Sequence, residues 1–392
     1  MKAKISIISP VHIGTGNVKL SFEYNKHGNV IYNYDLQKLF SYIPEKKLLD
    51  AKFLESLCHL KNGISTRDTM NNFLRMDIDY EKISPQYQLR ADFTEIQKKN
   101  IAEQLKSLNK PFLPGSSLKG AVMTAIYYDF ISEHLKSFCQ YIKKSVKSVK
   151  NKNNINIFNF LRYYYHCPKD LIYFQKLFAN CFMFTDVFFD KMVLVHAIRN
   201  KVDDDDEKNL AINDYECIDV KQECESNIII INDSRKENLK HLYKYKQYYK
   251  DFVKYIDIKK IIEVCQNYFK DNISEEIEME KNNSYYVQEG LDKKLNEFYE
   301  DTVSNGFYMR IGANTNYFFK TVSYLIKKND SNLYNKYFYK VFSPKDKPKD
   351  EPKGKNKAYP LPDKMPATRT IYVDDLYAYY PGVIKIEFYK EN

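Results

Sequence analysis

The chain has 392 residues, 44% of them apolar, enough to bury a sizeable core and to build two or three domain-sized units. No apolar run approaches the roughly 18 residues of a membrane span, Ile228 to Ile231 being one of the longer clean ones, so a helical membrane protein is excluded. Sixty-one Lys and Arg against 51 Asp and Glu leave a formal charge of +10, a balance that suits a polyanion such as nucleic acid.

Lysine, asparagine, tyrosine and isoleucine are abundant and tryptophan is absent, which AT-rich coding alone produces, so the distribution of charge says more than its sum. The N-terminal MKAKISIISPVHIG is too short in its apolar stretch, and too broken by Ser6, Ser9 and Pro10, for a signal peptide; a cytoplasmic protein is expected. The seven cysteines (Cys58, Cys139, Cys167, Cys181, Cys217, Cys224, Cys265) never form a CxxC pair, against both a disulfide framework and a zinc knuckle. Buried free thiols, with no metal and no cofactor, are the expectation.

In chain order, MKAKISIIS reads as a strand and VKLSFEYNKHGNVIYNYD as a hairpin turned at Lys26 to Asn29. Asp35 is a good N-cap for LQKLF, and from there to about Ser107 apolar spacings of three or four predict several short helices, an insertion near 36–108. PFLPGSSLKGAVMTAIYYDFI, from Pro111 to Ile131, predicts a helix with Leu118, Val122, Ala125 and Ile126 on its core face; a basic helix follows up to Val149, then a solvated loop. CFMFTDVFFD, MVLVHAIRN and CIDVKQECESNIIII are strand candidates, rich in aromatic or β-branched residues. Residues 234–304 read as charged helices, SPKDKPKDEPKGKNKAYPLPDKMP as a Pro/Lys-rich loop or disordered excursion, and GVIKIEFYK as a last alternating strand. Strands at both ends and in the middle, with a helix opening in a glycine-containing turn, fit an α+β sheet of the ferredoxin-like kind with helical insertions.

PGSSLKGA is not a Walker A loop, since its lysine precedes the second glycine, and ATP binding is not expected. Gly115 would let backbone approach a ligand, Ser116 or Ser117 would cap the helix, and Lys119 places a cation where the helix dipole disfavours one by about 0.3–1 kcal/mol. Together they form an anion seat; the alternative is a plain cap with Lys119 reaching into solvent. SPVHIGTGN carries His12, Gly14 and Gly16. Its glycines permit close approach to a phosphate or base, and His12 fits an acid/base, a stacking ring or a structural histidine. RIGANTNYFFKT gathers Arg310, Gly312, Asn314, Asn316, Lys320 and Thr321 around two phenylalanines, as single-stranded RNA recognition does, or is an ordinary turn. Arg199 and Lys201 read as a basic hairpin for a nucleic-acid backbone or a neighbouring subunit. Asp186 reads as a structural strand-end carboxylate, because no spacing places it with His12 or His196 for acid/base work.

Taken together, SPVHIGTG, PFLPGSSLKGAVMTA, RIGANTNYFFKT and the C-terminal RTIYVDD and YPGVIKIEF resemble the RAMP superfamily of CRISPR-associated proteins, and within it the Csm subunits of type III-A effector complexes. The resemblance spans both chain ends and is thin over 201–305. It implies a modified ferredoxin-like, RRM-like fold that binds CRISPR RNA (crRNA) toward its 3′ end, caps a stack of backbone subunits, and supports 3′ maturation through recruited nucleases with no active site of its own. Partners would be crRNA, the other Csm subunits and host nucleases, with neither a membrane nor direct DNA contact. The implied RNA-binding positions are those of the motifs above together with Arg199 and Lys201. Residues 1–232 would form the N-terminal RAMP region, and 233–392 a helical lobe with the late loop and the final strand. Met123 stands where such proteins commonly carry arginine, and Asn314 and Asn316 stand in place of late-loop glycines; asparagine tolerates left-handed backbone better than most residues. The alternative reading is a RAMP endoribonuclease that cuts precursor crRNA with His12 or His196, and a third is a scaffold for acidic protein surfaces.

Overall fold

Alternation fixes the first strand, Lys2–Ile7: Ala3, Ile5 and Ile7 are buried, while Lys2 and Lys4 stay partly exposed. The computed structural model describes residues 2–20, 22–45, 49–51, 78–92, 100–148, 157–166, 168–201, 211–226, 229–280, 290–342, 368–374 and 376–389. Within them, Lys2–Ile7 lies between Glu223–Ser226 and the C-terminal strand Val383–Tyr389, and Gly306–Arg310 completes a four-stranded antiparallel sheet. The two chain ends are therefore neighbours, Ile5 opposite Ile386 and Ile7 opposite Ile384.

A larger mixed sheet runs in the order Gly14–Lys19, Ile101–Gln104, Ala211–Ile218, Met192–Lys201, Tyr87–Arg90, Val30–Asn33, Tyr24–His27. Thr368–Val373 also pairs with Met192–Lys201 and carries Ala378–Tyr379 beside it. The expected hairpin turns at Gly28, which takes φ +54°, with Tyr24 opposite Asn33. This is an α+β architecture with a curled sheet and many helices, the modified ferredoxin-like arrangement read from the sequence.

The helix Gly115–Glu133 buries Leu118, Val122, Ala125 and Ile126, the expected face, and packs on the long helix Ile258–Glu280. Helices Asp233–Tyr243, Gln247–Phe252, Ile258–Glu280 and Leu291–Glu300 fill the charged stretch. Around Phe130, stacked on Phe252 at 4.7 Å, gather Phe160, Phe174 and Phe178, all nearly inaccessible. Each such ring contributes about 1.5–3 kcal/mol on burial. This core also takes Ile5, Phe307 and Ile384, so it draws on both sides of residue 232. A smaller cluster, including Phe269, Leu295, Phe319, Ile371 and Tyr380, underlies the late loop.

One expectation is corrected between 36 and 108. Leu36–Tyr42 is a helix, its Gln37 and Lys38 amides donating to the Asp35 carboxylate, but Tyr87–Arg90, Ile101–Gln104 and Lys106–Ser107 are strands. Buried Leu89 and Ala91 stand two apart, a strand period in a run too short to outweigh the helical spacing before it. The expected structure over 52–77, the acidic stretch 203–207 and the Pro/Lys-rich segment 343–367 lies outside the described residues.

Candidate nucleic-acid interface

Three loops remote in sequence are joined by backbone hydrogen bonds. The Ala313 N–H donates to the His12 carbonyl at 2.8 Å, the Ile311 N–H to the Gly382 carbonyl at 2.8 Å, and the Gly382 N–H to the Pro10 carbonyl at 3.0 Å. Glycine is required twice in this knot. Gly312 (φ +95°) and Gly382 (φ +75°) are left-handed, and an added Cβ would lie 2.4 Å from the His12 oxygen and 2.1 Å from the Ile311 oxygen respectively. Asn314 also takes the left-handed region, φ 60°, and its amide donates to the Tyr372 hydroxyl at 3.1 Å. Asn316 has φ −54° and instead caps the turn Tyr317–Lys320, accepting from the Phe318 N–H.

His12 is 3% exposed, and its Nδ1 donates to the Glu216 carbonyl across 2.6 Å, with the ring edge-on to Tyr215. Burial pushes its pKa below the usual value; the Glu216 carbonyl opposes that shift and Lys106 reinforces it. His12 is thus the structural histidine, and the acid/base and stacking roles are corrected. Gly14 is the room this ring needs, since Nε2 lies 2.8 Å from where a Gly14 Cβ would stand; Gly14 and Gly16 themselves face outward. Beneath, the buried Glu216 carboxylate accepts from the Tyr87 hydroxyl (2.7 Å), the Gln104 N–H (3.1 Å) and the Lys106 ammonium (2.6 Å). The second candidate acid/base, His196, has its Nδ1 against the buried Asp214 carboxylate.

Beside the knot opens a cleft of 340 Å³ that brings together five expected residues, Arg199, Arg310, Asn314, Asn316 and Lys320. Arg310 is corrected from ligand-facing cation to anchor. Its Nη1 donates to both Glu276 oxygens at 2.7 Å, its Nε to the Pro381 carbonyl at 3.1 Å, and its guanidinium lies over the Phe319 and Tyr380 rings. Glu276 accepts a further bond from the Asn316 amide at 2.8 Å. Arg199 and Lys320 are exposed and have no carboxylate partner among the described residues. The Lys320 ammonium sits in the crowded cleft mouth although the residue is exposed by area, and burial, then Arg310, lower its pKa. An entering anion would oppose that shift by favouring the charged ammonium. Thr321 turns its hydroxyl to Tyr317 and Ser323, and Lys201 is placed by its backbone opposite Thr368.

The start of helix Gly115–Glu133 differs from the expected seat. The Gly115 N–H donates to Asp186 Oδ1 at 2.7 Å, so the anion there is the chain's own strand-end carboxylate. Close approach at Gly115 is to backbone, an added Cβ falling 2.1 Å from the Phe184 oxygen. Pro114, rather than Ser116 or Ser117, occupies the cap position, with the Ser117 N–H donating to its carbonyl. Lys119 donates to the Phe182 carbonyl at 3.2 Å, and burial, then Arg235, lower its pKa. This turn shares no lining residue with the cleft.

The family model for the RAMP superfamily matches residues 4–319. The chain belongs to the RAMP superfamily. A curated relative, the CRISPR system Cms protein Csm5 of Methanocaldococcus jannaschii, is 24% identical over 396 aligned positions, covering 98% of this chain and 88% of its own length. Among solved structures, a chain of the cryo-EM Csm-crRNA-target RNA ternary complex of a type III-A CRISPR-Cas system superposes with TM-score 0.59 at 16% identity, over 99% of this chain and 100% of that one. The crystal structure of T. onnurineus Csm5 gives 0.52 at 15% identity, over 97% and 99%. The RAMP protein described here is therefore Csm5-like in sequence and fold, as its motifs indicated.

Sequence reasoning missed two residues of the RAMP cleft. Glu276 lies in the stretch read only as charged helices, and nothing local marks it as the counter-ion of Arg310. Arg369 lines the same cleft, 5% exposed, with Nη2 2.7 Å from the Met279 sulfur; the alternation in TRTIYV was its available signal. Among the described residues no helix is long and apolar enough to cross a membrane.

Proposed function

We propose that this chain is a crRNA-binding subunit of a type III-A Csm ribonucleoprotein that caps the complex at the crRNA 3′ end. In this reading it contacts the backbone and small Csm subunits and supports 3′ maturation, and so antiviral defence, through recruited host nucleases. The observation that carries it is the cleft at the loop knot: among the described residues Arg199 and Lys320 face it without a carboxylate partner, and the one lining carboxylate, Glu276, is already held by Arg310. Single-stranded RNA supplies the missing charge, with rings at hand in Tyr317 and Tyr380. Family membership and the Csm5-like fold support the same assignment.

The endoribonuclease reading finds no support in the histidines. His12 is buried with Nδ1 engaged, and His196 is held against Asp214. The test is to purify the protein with its neighbouring subunits and map the bound RNA. Protection of the 3′ portion, with no cleavage of labelled repeat RNA by the protein alone, is the expected result; protection confined to the 5′ end contradicts it.

A further inference from the structure

We propose that the cleft is one end of a longer furrow that carries single-stranded RNA across helix Gly115–Glu133 onto helices Ile157–Tyr165 and Pro168–Asn180. This rests on the RNA-binding reading of the cleft and adds the path the strand takes beyond it. Three cavities adjoin. The cleft shares Lys320 with a cavity of 230 Å³, and that cavity shares Tyr127 with a third of 540 Å³. The second join is built from neighbouring residues: Thr124 and Ile157 line the middle cavity, Met123 and Phe158 the outer one. Both helices therefore straddle one boundary between the cavities, made by the Tyr127 and Phe158 rings, edge-to-face at 6.1 Å.

Charge along this line has one sign. Lys320 serves the middle cavity and exposed Arg162 and Lys176 the outer one, and no carboxylate lines either among the described residues. Phe158 is 48% exposed between these cations, a ring on which a base can stack. Cations that track a phosphate backbone, interrupted by an exposed aromatic, are what a flexible single strand requires. Continuity with the cleft through Lys320 favours RNA over an acidic protein segment as occupant.

Binding of a short oligouridylate, long enough to fill only the cleft, and of a long one tests this on the full chain. The double variant Phe158→Ala/Lys176→Ala should bind the short probe unchanged and the long probe about tenfold more weakly. Phe158→Tyr, which keeps the ring, should retain affinity for both. Lys176 is exposed and Phe158 half exposed, so the variants should fold, with Phe158→Ala lowering the melting temperature only slightly through its lost contact with Tyr127. If the double variant binds both probes as the parent does while Lys320→Ala weakens both, the furrow is refuted and the cleft reading stands. If Arg199→Ala/Lys320→Ala also changes neither, the RNA-binding reading falls with it. Loss of a copurifying subunit with RNA binding intact would make the outer cavity a protein interface and likewise overturn the proposal.

Discussion

At the level of single residues, a lysine in the first turn of a helix needs an acceptor, and Lys119 finds the Phe182 carbonyl while Asp186 takes the Gly115 amide. Asp186→Ala should therefore cost about 0.5–2 kcal/mol, measured by urea denaturation. Lys119→Met should lower stability while leaving the salt dependence of RNA binding in place. His12 gives a signed pH effect. Its folded pKa lies below the unfolded value near 6.5, so the unfolded chain takes the proton first, and stability present at neutral pH is lost as pH falls from about 6.5 toward the folded value. Thermal melts across that window should show the slope in the parent and not in His12→Gln. The role of His12 was left open by the sequence because its partners, Tyr215 and Glu216, arrive from about two hundred residues away.

Among the elements, the late loop is held by the Arg310–Glu276 pair and by glycines. Glu276→Ala leaves a buried guanidinium without its counter-charge and should destabilise by about 3–5 kcal/mol, read as a shift in denaturation midpoint at constant slope. Gly312→Ala combines positive φ with collision on the His12 oxygen, whereas Gly16→Ala meets open space and bears only the left-handed strain, roughly 1–2 kcal/mol. The first should be the more damaging, and paired melting curves decide it. The end strands were legible because half-buried antiparallel strands alternate cleanly, as in Ile384, Ile386 and Phe388. Tyr87–Arg90 and Ile101–Gln104 were not, since four residues carry too little period to be told from a helix turn. The left-handed loop was legible at Asn314, whose side chain tolerates that conformation, and misleading at Asn316, which caps instead.

For the whole molecule, the excess of ten positive charges says less than where they stand. Some described cations are paired internally, as Arg90 is with Asp219 and Lys106 with Glu216, and these add little to an interface. Of the motif residues, Arg199, Arg310, Asn314, Asn316 and Lys320 line one cleft. Which of them keeps a free charge was decided by Glu276, invisible at the level of local pattern. The most direct measurement is the salt dependence of affinity for a long single-stranded RNA. Four cations without a carboxylate partner among the described residues, Arg199, Lys320, Arg162 and Lys176, predict a slope of log affinity on log salt of about −3, and Arg199→Ala/Lys320→Ala should halve it to about −1.4. A slope unchanged by that double substitution would contradict the account.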